Sequence, residues 1–180
     1  MVFGIFPERL SPRQNVTGAT YATLLATLIA PQSRGNLTIA SPNMSDAPLI
    51  NPNLFTAQSD VDVMLAAFKR ARQVLGTEAM APVEIGAEQV PGPGVQTDAQ
   101  ILAYLRAALN PLYHAFATNK MGKASDPDAV VDCHGKVLGV NNLRVIDSSS
   151  FPFLPPGPAP QILVYTLAEK LADDIKDTKY

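Results

Sequence analysis

The sequence predicts an α+β protein, and three observations point there. Apolar residues recur at helical spacing in two central segments and again near the C-terminus. Short alternating or β-branched runs, closed by Gly and Asn turns, lie before and between them. Sixteen prolines, many of them bracketing these segments, imply long, shaped loops. With 180 residues the chain is expected to form one domain large enough to bury a core. Hydrophobic residues make up 47%, charged ones 17%, and the net charge is -2. That leaves no basic surplus for nucleic acid or an anionic membrane surface.

Residues 1–18, with Pro7, Pro12 and Gly18 and no clear period, are expected to form an irregular arm ahead of a domain over 19–180. The apolar run at Met1–Phe6 is short and lacks a basic lead, unlike a signal peptide. Leu24 to Ala30 is the longest apolar stretch, too short to span a bilayer and interrupted by Thr27. Tyr21 to Ile29 reads as a strand or a short helix and stops before Pro31, as the clash ahead of a proline requires. Asn36 to Ala40 alternates like a half-buried strand, and Asn43 to Asn53 reads as a loop.

The clearest helix runs from about Asp60 to Leu75. Ser59 and Asp62 suggest a capping box, Val61, Met64, Leu65, Phe68, Ala71 and Leu75 share one face, and Gly76 ends it. After a Pro- and Gly-rich loop over 77–96, Thr97 and Gln100 form a second capping box. The helix behind it buries Ile101, Leu105 and Leu109. Ala129–Asp132, Lys136–Val140 and Leu143–Asp147 read as strands with turns at His134-Gly135 and Asn141-Asn142. A last helix begins near Pro160 and buries Val164, Leu167, Ala168, Leu171 and Ile175, leaving Glu169, Lys170, Asp173 and Asp174 in water.

The single Cys133 excludes an internal disulfide framework and lacks the partner spacing of a zinc site, so no metal is expected. A reducing, cytoplasmic location fits that cysteine usage. His134 reads as a surface turn residue, and Lys120, Lys123 and Asp126 as a solvated loop.

Three stretches, in order, resemble the C-terminal region of the glucose–methanol–choline (GMC) flavin oxidoreductases. Pro31-Gln-Ser-Arg-Gly-Asn-Leu-Thr-Ile39 with Pro48-Leu-Ile-Asn-Pro-Asn53 is similar to the family's P-x-SRG-x-(V/L) strand and its P-x-I-x-P-N segment. Tyr113-His-Ala-Phe-Ala-Thr-Asn-Lys-Met-Gly122 is similar to (Y/W)-H-x-x-G-T-x-x-M-G, with Ala117 where Gly is usual. The third runs from Ala129-Val-Val-Asp132 through Gly139-Val-Asn-Asn-Leu-Arg-Val-Ile-Asp-Ser-Ser149 to Phe151-Pro-Phe-Leu-Pro155 and Val164-Tyr-Thr-Leu-Ala-Glu-Lys170.

The resemblance implies a mainly antiparallel sheet flanked by helices, the substrate-side part of a two-domain enzyme. It also implies that His114 faces the flavin ring and takes the alcohol proton, work that suits an imidazole. Tyr113, Thr118, Phe153, Gln161 and Tyr165 become candidate substrate-binding residues. Asp147 and Ser148 match residues that approach FAD in the family. The family's second catalytic His or Asn has no counterpart, because Pro158-Ala159 stands in its place and can neither donate nor accept a side-chain proton. The Gly-rich βαβ fingerprint for the ADP half of FAD is not found in these residues; Gly92 and Gly94 sit in a Pro-rich loop.

The expectation that follows is an enzyme without a bound cofactor, using His114 for a non-redox step on a small apolar or polyketide-like substrate. Cyclisation, cycloaddition, dehydration and isomerisation are the reaction types. One alternative is a subunit of an FAD-dependent alcohol oxidoreductase whose flavin comes with a partner chain. Another is a non-catalytic binding module. Faces that normally pack against the rest of such an enzyme lead to an expected homodimer or hetero-complex.

Overall fold

The computed structural model describes residues 3–5, 22–84, 86–154 and 161–177. The chain forms two compact units, one built from Val2–Asn36 and Ile50–Leu112, the other from Leu37–Leu49 and Tyr113–Tyr180.

The first unit contains strands β1 (Phe3–Ile5) and β2 (Thr27–Leu28), helices α1 (Gln58–Leu75) and α2 (Asp98–Ala108), and strand β5 (Leu109–Pro111). Its sheet has the order β2-β1-β5, antiparallel throughout, with Phe3 opposite both Leu28 and Pro111. Pro111 lies on an edge strand, where a missing N–H is tolerated. Phe3–Ile5 fall inside the expected irregular arm but form the central strand, since three residues are too few to show a period. The remainder of that arm, and Tyr21, lie outside the described residues.

Met64 and Leu105 are fully buried, as is Ile101 to within 1%. Phe68, Val61, Phe55, Leu28 and Ala108 close the core around them. Each large side chain buried here stabilises the unit by about 1.5–3 kcal/mol. Phe68 meets Tyr104 at 5.9 Å between ring centres, and the Arg72 guanidinium lies 4.6 Å above the Phe68 ring. Arg72 also binds both Glu88 carboxylate oxygens and donates to the Val95 carbonyl at 2.7 Å, which ties the 77–96 loop to α1.

The Thr97 and Gln100 capping box forms as the sequence predicts. The box expected at Ser59 and Asp62 does not. Helix α1 starts at Gln58, after Ala57, and no side chain of its own caps it. Distant residues satisfy this end instead. Ser33 Oγ accepts from the Thr56 and Ala57 amides at 3.1 Å, and the buried Asp60 carboxylate accepts from the Gln32 and Ser33 amides, each at 2.8 Å, and from Ser33 Oγ. Burial alone would raise the pKa of Asp60. The Gln32 and Ser33 bonds and the nearby Arg34 charge outweigh it and hold the carboxyl below its usual value. Gly35 is required in the same segment, because a Cβ there would lie 2.3 Å from the Asn51 carbonyl oxygen.

The chain leaves this unit through β3 (Asn36–Thr38) and returns through β4 (Leu49–Asn51), and the two pair with each other. Every residue of both strands is exposed, so β3 is not the half-buried strand its alternation suggests. Leu37 within β3 is 48% exposed and Ile39 just beyond it 82%. β4 lies inside the segment expected to be all loop.

The second unit is held by the fully buried Val131, Leu171 and Ser150. The three strands expected over 129–147 reduce to isolated bridges, Val131 with Val137 and Lys136 with Arg144, besides Met121 with Val131. Positive φ at Gly135, Gly139 and Asn142 turns the chain too often for longer ladders. Helix α3 (Gln161–Asp177) completes the unit. The Pro160 start expected for it, and Pro158-Ala159, lie outside the described residues. No helix among the described residues is long and apolar enough to cross a membrane.

Candidate active site

The segment that carries His114 leaves β5 and is laced along a 3-10 turn at Ser148–Ser150. The amides of Ala117, Asn119 and Met121 donate in turn to the carbonyls of Ser148, Ser149 and Ser150, at 3.2, 2.9 and 3.0 Å. Ser148 Oγ donates to the Ala115 carbonyl at 3.0 Å, and Asn119 Nδ2 donates to Ser149 Oγ. The turn is itself fixed by Asp147, whose carboxylate accepts from the Ser149 amide and hydroxyl. Ser150 Oγ, fully buried, donates to the Asp147 carbonyl. Gly122 ends the segment where a Cβ would lie 2.9 Å from Ala129 Cβ.

Two residues without the freedom of glycine bracket the histidine in the left-handed region, Tyr113 at φ 60° and Ala117 at φ 62°. Such a conformation costs an L-residue about 1–2 kcal/mol. At Ala117 the structure therefore shows why a glycine suits the motif.

From the other side comes α3. Gln161, Val164 and Tyr165 occupy positions i, i+3 and i+4 and so share one face of its first turns. The far end of the helix is fastened by Leu171, which packs on Gly135; a Cβ there would lie 3.3 Å from Leu171 Cδ1. Asp174 adds a polar tie, with its carboxylate 3.0 Å from His134 Nδ1 and 3.2 Å from Lys170 Nζ. The His134 bond, then the Lys170 bond, lowers its pKa. His134 is thus a surface residue, as expected, but Asp174 is half-buried and paired. Lys120 and Asp126, expected in a solvated loop, form a partly buried ion pair at 2.7 Å.

Between these walls lies a cleft of about 410 Å³, lined by Tyr113, His114, Ala115, Ser148, Gln161, Val164 and Tyr165. It is open to solvent, with Tyr113 74% and Tyr165 65% exposed. Of the residues the sequence singles out, the cleft gathers His114, Tyr113, Gln161, Tyr165 and Ser148. Thr118, Phe153 and Asp147 lie outside its lining; Phe153 is 68% exposed and Asp147 is engaged with Ser149. Val164 and Ala115 were not foreseen as lining residues. The helical spacing from Gln161 is the signal that could have found Val164.

The lining offers one imidazole, two phenols, an amide, a hydroxyl and two apolar side chains. Imidazole is the group here whose ordinary pKa lies near neutrality. The aromatic faces offer stacking surface, and Gln161 offers both a donor and an acceptor. Among the described residues no group of three or more His, Cys, Asp or Glu side chains could hold a metal ion. For a flavin, the aromatic and apolar lining fits the planar ring end. The pyrophosphate end fits poorly, because the side chains of Asp147 and Ser148 are already spent on Ser149 and on the Ala115 carbonyl.

Comparison with known proteins places the sequence and fold among one family. The GMC oxidoreductase C-terminal family model matches residues 31–168. A glucose–methanol–choline family oxidoreductase, mfmG, of Annulohypoxylon moriforme is 69% identical over 166 residues, covering 92% of this chain and 28% of that protein. Patulin synthase of Aspergillus clavatus is 51% identical over 158 residues, covering 88% and 25%. Among solved structures, an FAD-dependent oxidoreductase from Chaetomium thermophilum aligns with a TM-score of 0.77 at 36% identity, over 86% of this chain and 26% of that one. The chain spans about a quarter of the length of the curated relatives it matches.

Proposed function

From the premise that the chain belongs to the GMC oxidoreductase family, we propose that it supplies the substrate-side wall of a family active site in fungal secondary metabolism. In this reading His114 is the proton-transfer group, and the substrate is a small, largely apolar or polyketide-like alcohol. The observation that carries the reading is the position of His114, held on the Ser148–Ser150 turn and open to a cleft with aromatic sides. Patulin synthase and versicolorin B synthase are among the relatives of this chain, which supports the substrate class.

Bound flavin would supply hydride-accepting chemistry at the ring end of the cleft. The chain's own residues do the rest. Tyr113 and Tyr165 flank the substrate, Gln161 orients its oxygen through a hydrogen bond, and Val164 and Ala115 exclude water. His114 takes the hydroxyl proton. A positioned base of this kind contributes about 10²–10⁴-fold. Ile162 and Phe153, 78% and 68% exposed, support a covering partner, which we take to be an FAD-binding part of the same family.

The non-redox, flavin-free reading keeps one specific observation in its favour, Pro158-Ala159 at the place of the family's second catalytic residue. Anaerobic mixing of the flavin-loaded complex with a panel of aryl and polyketide-type alcohols separates the two. Bleaching of the flavin that slows at least about 10²-fold in His114→Ala supports the alcohol-oxidising reading. Turnover of substrate with the flavin left oxidised would favour the non-redox one.

A further inference from the structure

The exposed β3–β4 excursion carries two copies of the acceptor pattern for N-linked glycans, Asn followed two residues later by Ser or Thr. They are Asn36-Leu37-Thr38 and Asn43-Met44-Ser45. A third, Asn15-Val16-Thr17, lies outside the described residues. Neither intervening residue is proline, which would spoil the pattern. A three-residue pattern recurs by chance, so structural context has to decide whether the sites can be used.

That context is favourable at both described sites. Asn36, Thr38, Asn43 and Ser45 are all exposed. Asn43 stands in a tight turn in which its Oδ1 accepts from the Ser45 amide at 3.1 Å and its carbonyl accepts from the Asp46 amide at 3.1 Å. The asparagine side chain thereby folds over the backbone of the third residue of its own pattern. The bond uses Oδ1 and leaves Nδ2, the atom that is modified, without a hydrogen-bond partner among the described residues. Met44, between them, is 97% exposed, so the turn stands clear of the surface. Asn36 likewise makes no side-chain hydrogen bond among the described residues.

We propose that Asn43 and Asn36 are N-glycosylation sites and that the protein passes through the secretory pathway. The glycan donor is a polyprenyl-diphosphate-linked oligosaccharide. The Nδ2–C1 bond forms, the C1–oxygen bond to the diphosphate breaks, and the displaced proton from Nδ2 leaves with the lipid diphosphate. The glycans would stand beside Leu37, Ile39 and Met44 and shield apolar side chains that are 48%, 82% and 97% exposed. The proposal replaces the cytoplasmic location expected from the single cysteine. One unpaired Cys133 is equally compatible with an oxidising compartment.

The test is made on the protein as its own organism produces it. Treatment with an amide-cleaving N-glycanase is expected to increase gel mobility and to convert Asn43 and Asn36 to Asp in the peptide mass spectrum. Expressed in the same host, Ser45→Ala and Thr38→Ala should each abolish one mobility step. Ser45→Ala keeps Asn43 and the backbone amide that makes its turn, so a folding defect is not expected to account for the loss. Ser45→Thr should retain the step. Unchanged mobility after glycanase, with unmodified Asn36 and Asn43 in the peptides, would overturn the proposal. So would the full wild-type number of mobility steps remaining in each alanine variant.

Discussion

Substituting Asp60 by Asn removes a negative charge while keeping the size of the side chain. In the native unit the carboxylate is 2% exposed and accepts three hydrogen bonds, from the Gln32 amide, the Ser33 amide and the Ser33 hydroxyl. Bonds to a charged acceptor contribute about 1.5–3 kcal/mol each, though not additively. Asn retains one acceptor oxygen but turns an NH₂ group toward donors, leaving at least one buried N–H unpaired. We expect Asp60→Asn to lose about 3 kcal/mol at neutral pH, and Asp60→Ala about 3–5 kcal/mol.

The pH dependence follows from the lowered pKa of this carboxyl. A folded-state value below the unfolded one gives stability that is fully present above the unfolded pKa. It is lost as pH falls through the folded value. The gap between wild type and Asp60→Asn should therefore be full at neutral pH and should narrow below about pH 4. Urea unfolding followed by circular dichroism at neutral and acid pH measures both quantities. A difference under about 0.5 kcal/mol at neutral pH, the range of ordinary surface substitutions, would refute the reasoning. A gap that stays constant into acid would also do so.

Three further outcomes are expected. Ala117→Gly relieves left-handed strain of about 1–2 kcal/mol, against about 0.4–1 kcal/mol of added unfolded-state entropy. It should raise the melting temperature by about 1–4 °C, and a fall would contradict the strain argument. Gly35→Ala places a Cβ against the Asn51 carbonyl and should lose at least about 1–3 kcal/mol in thermal or urea unfolding. Arg72→Met, which severs the ties to Glu88 and Val95, should speed limited proteolysis within the 77–96 loop; an unchanged cleavage rate would show that other contacts hold it.

How much was readable in the sequence depended on the range of each interaction. Helices α1, α2 and α3 were legible because their apolar faces repeat every few residues. Thr97 and Gln100 were legible because a capping box is local. The start of α1 was misread for the complementary reason. Its partners, Ser33 capping Ala57 and Gln32 binding Asp60, lie more than twenty residues away, and no local pattern encodes them. Asp60 enters the sequence reading only as the approximate first residue of the helix, with no sign of its burial. Strands β1, β4 and β5 have three residues each, too short for a period to appear.

At the site, resemblance to the family pointed to His114, Tyr113, Gln161 and Tyr165, and all four line one cleft. Thr118 and Phe153 belong to the matching stretches of sequence but lie outside that lining. Val164 was assigned to the helix core because an apolar residue near a helix start gives no sign of whether it faces packing or open space.

The visible absorption spectrum tests the central claim most directly. The chain is purified alone and after co-expression with the FAD-binding part of the FAD-dependent oxidoreductase from Chaetomium thermophilum. The chain alone is expected to be colourless, and the co-purifying complex yellow, with flavin bands that bleach with an alcohol substrate when His114 is present and far more slowly in His114→Ala. A colourless mixture with no association, or bleaching at the same rate in both proteins, would contradict it.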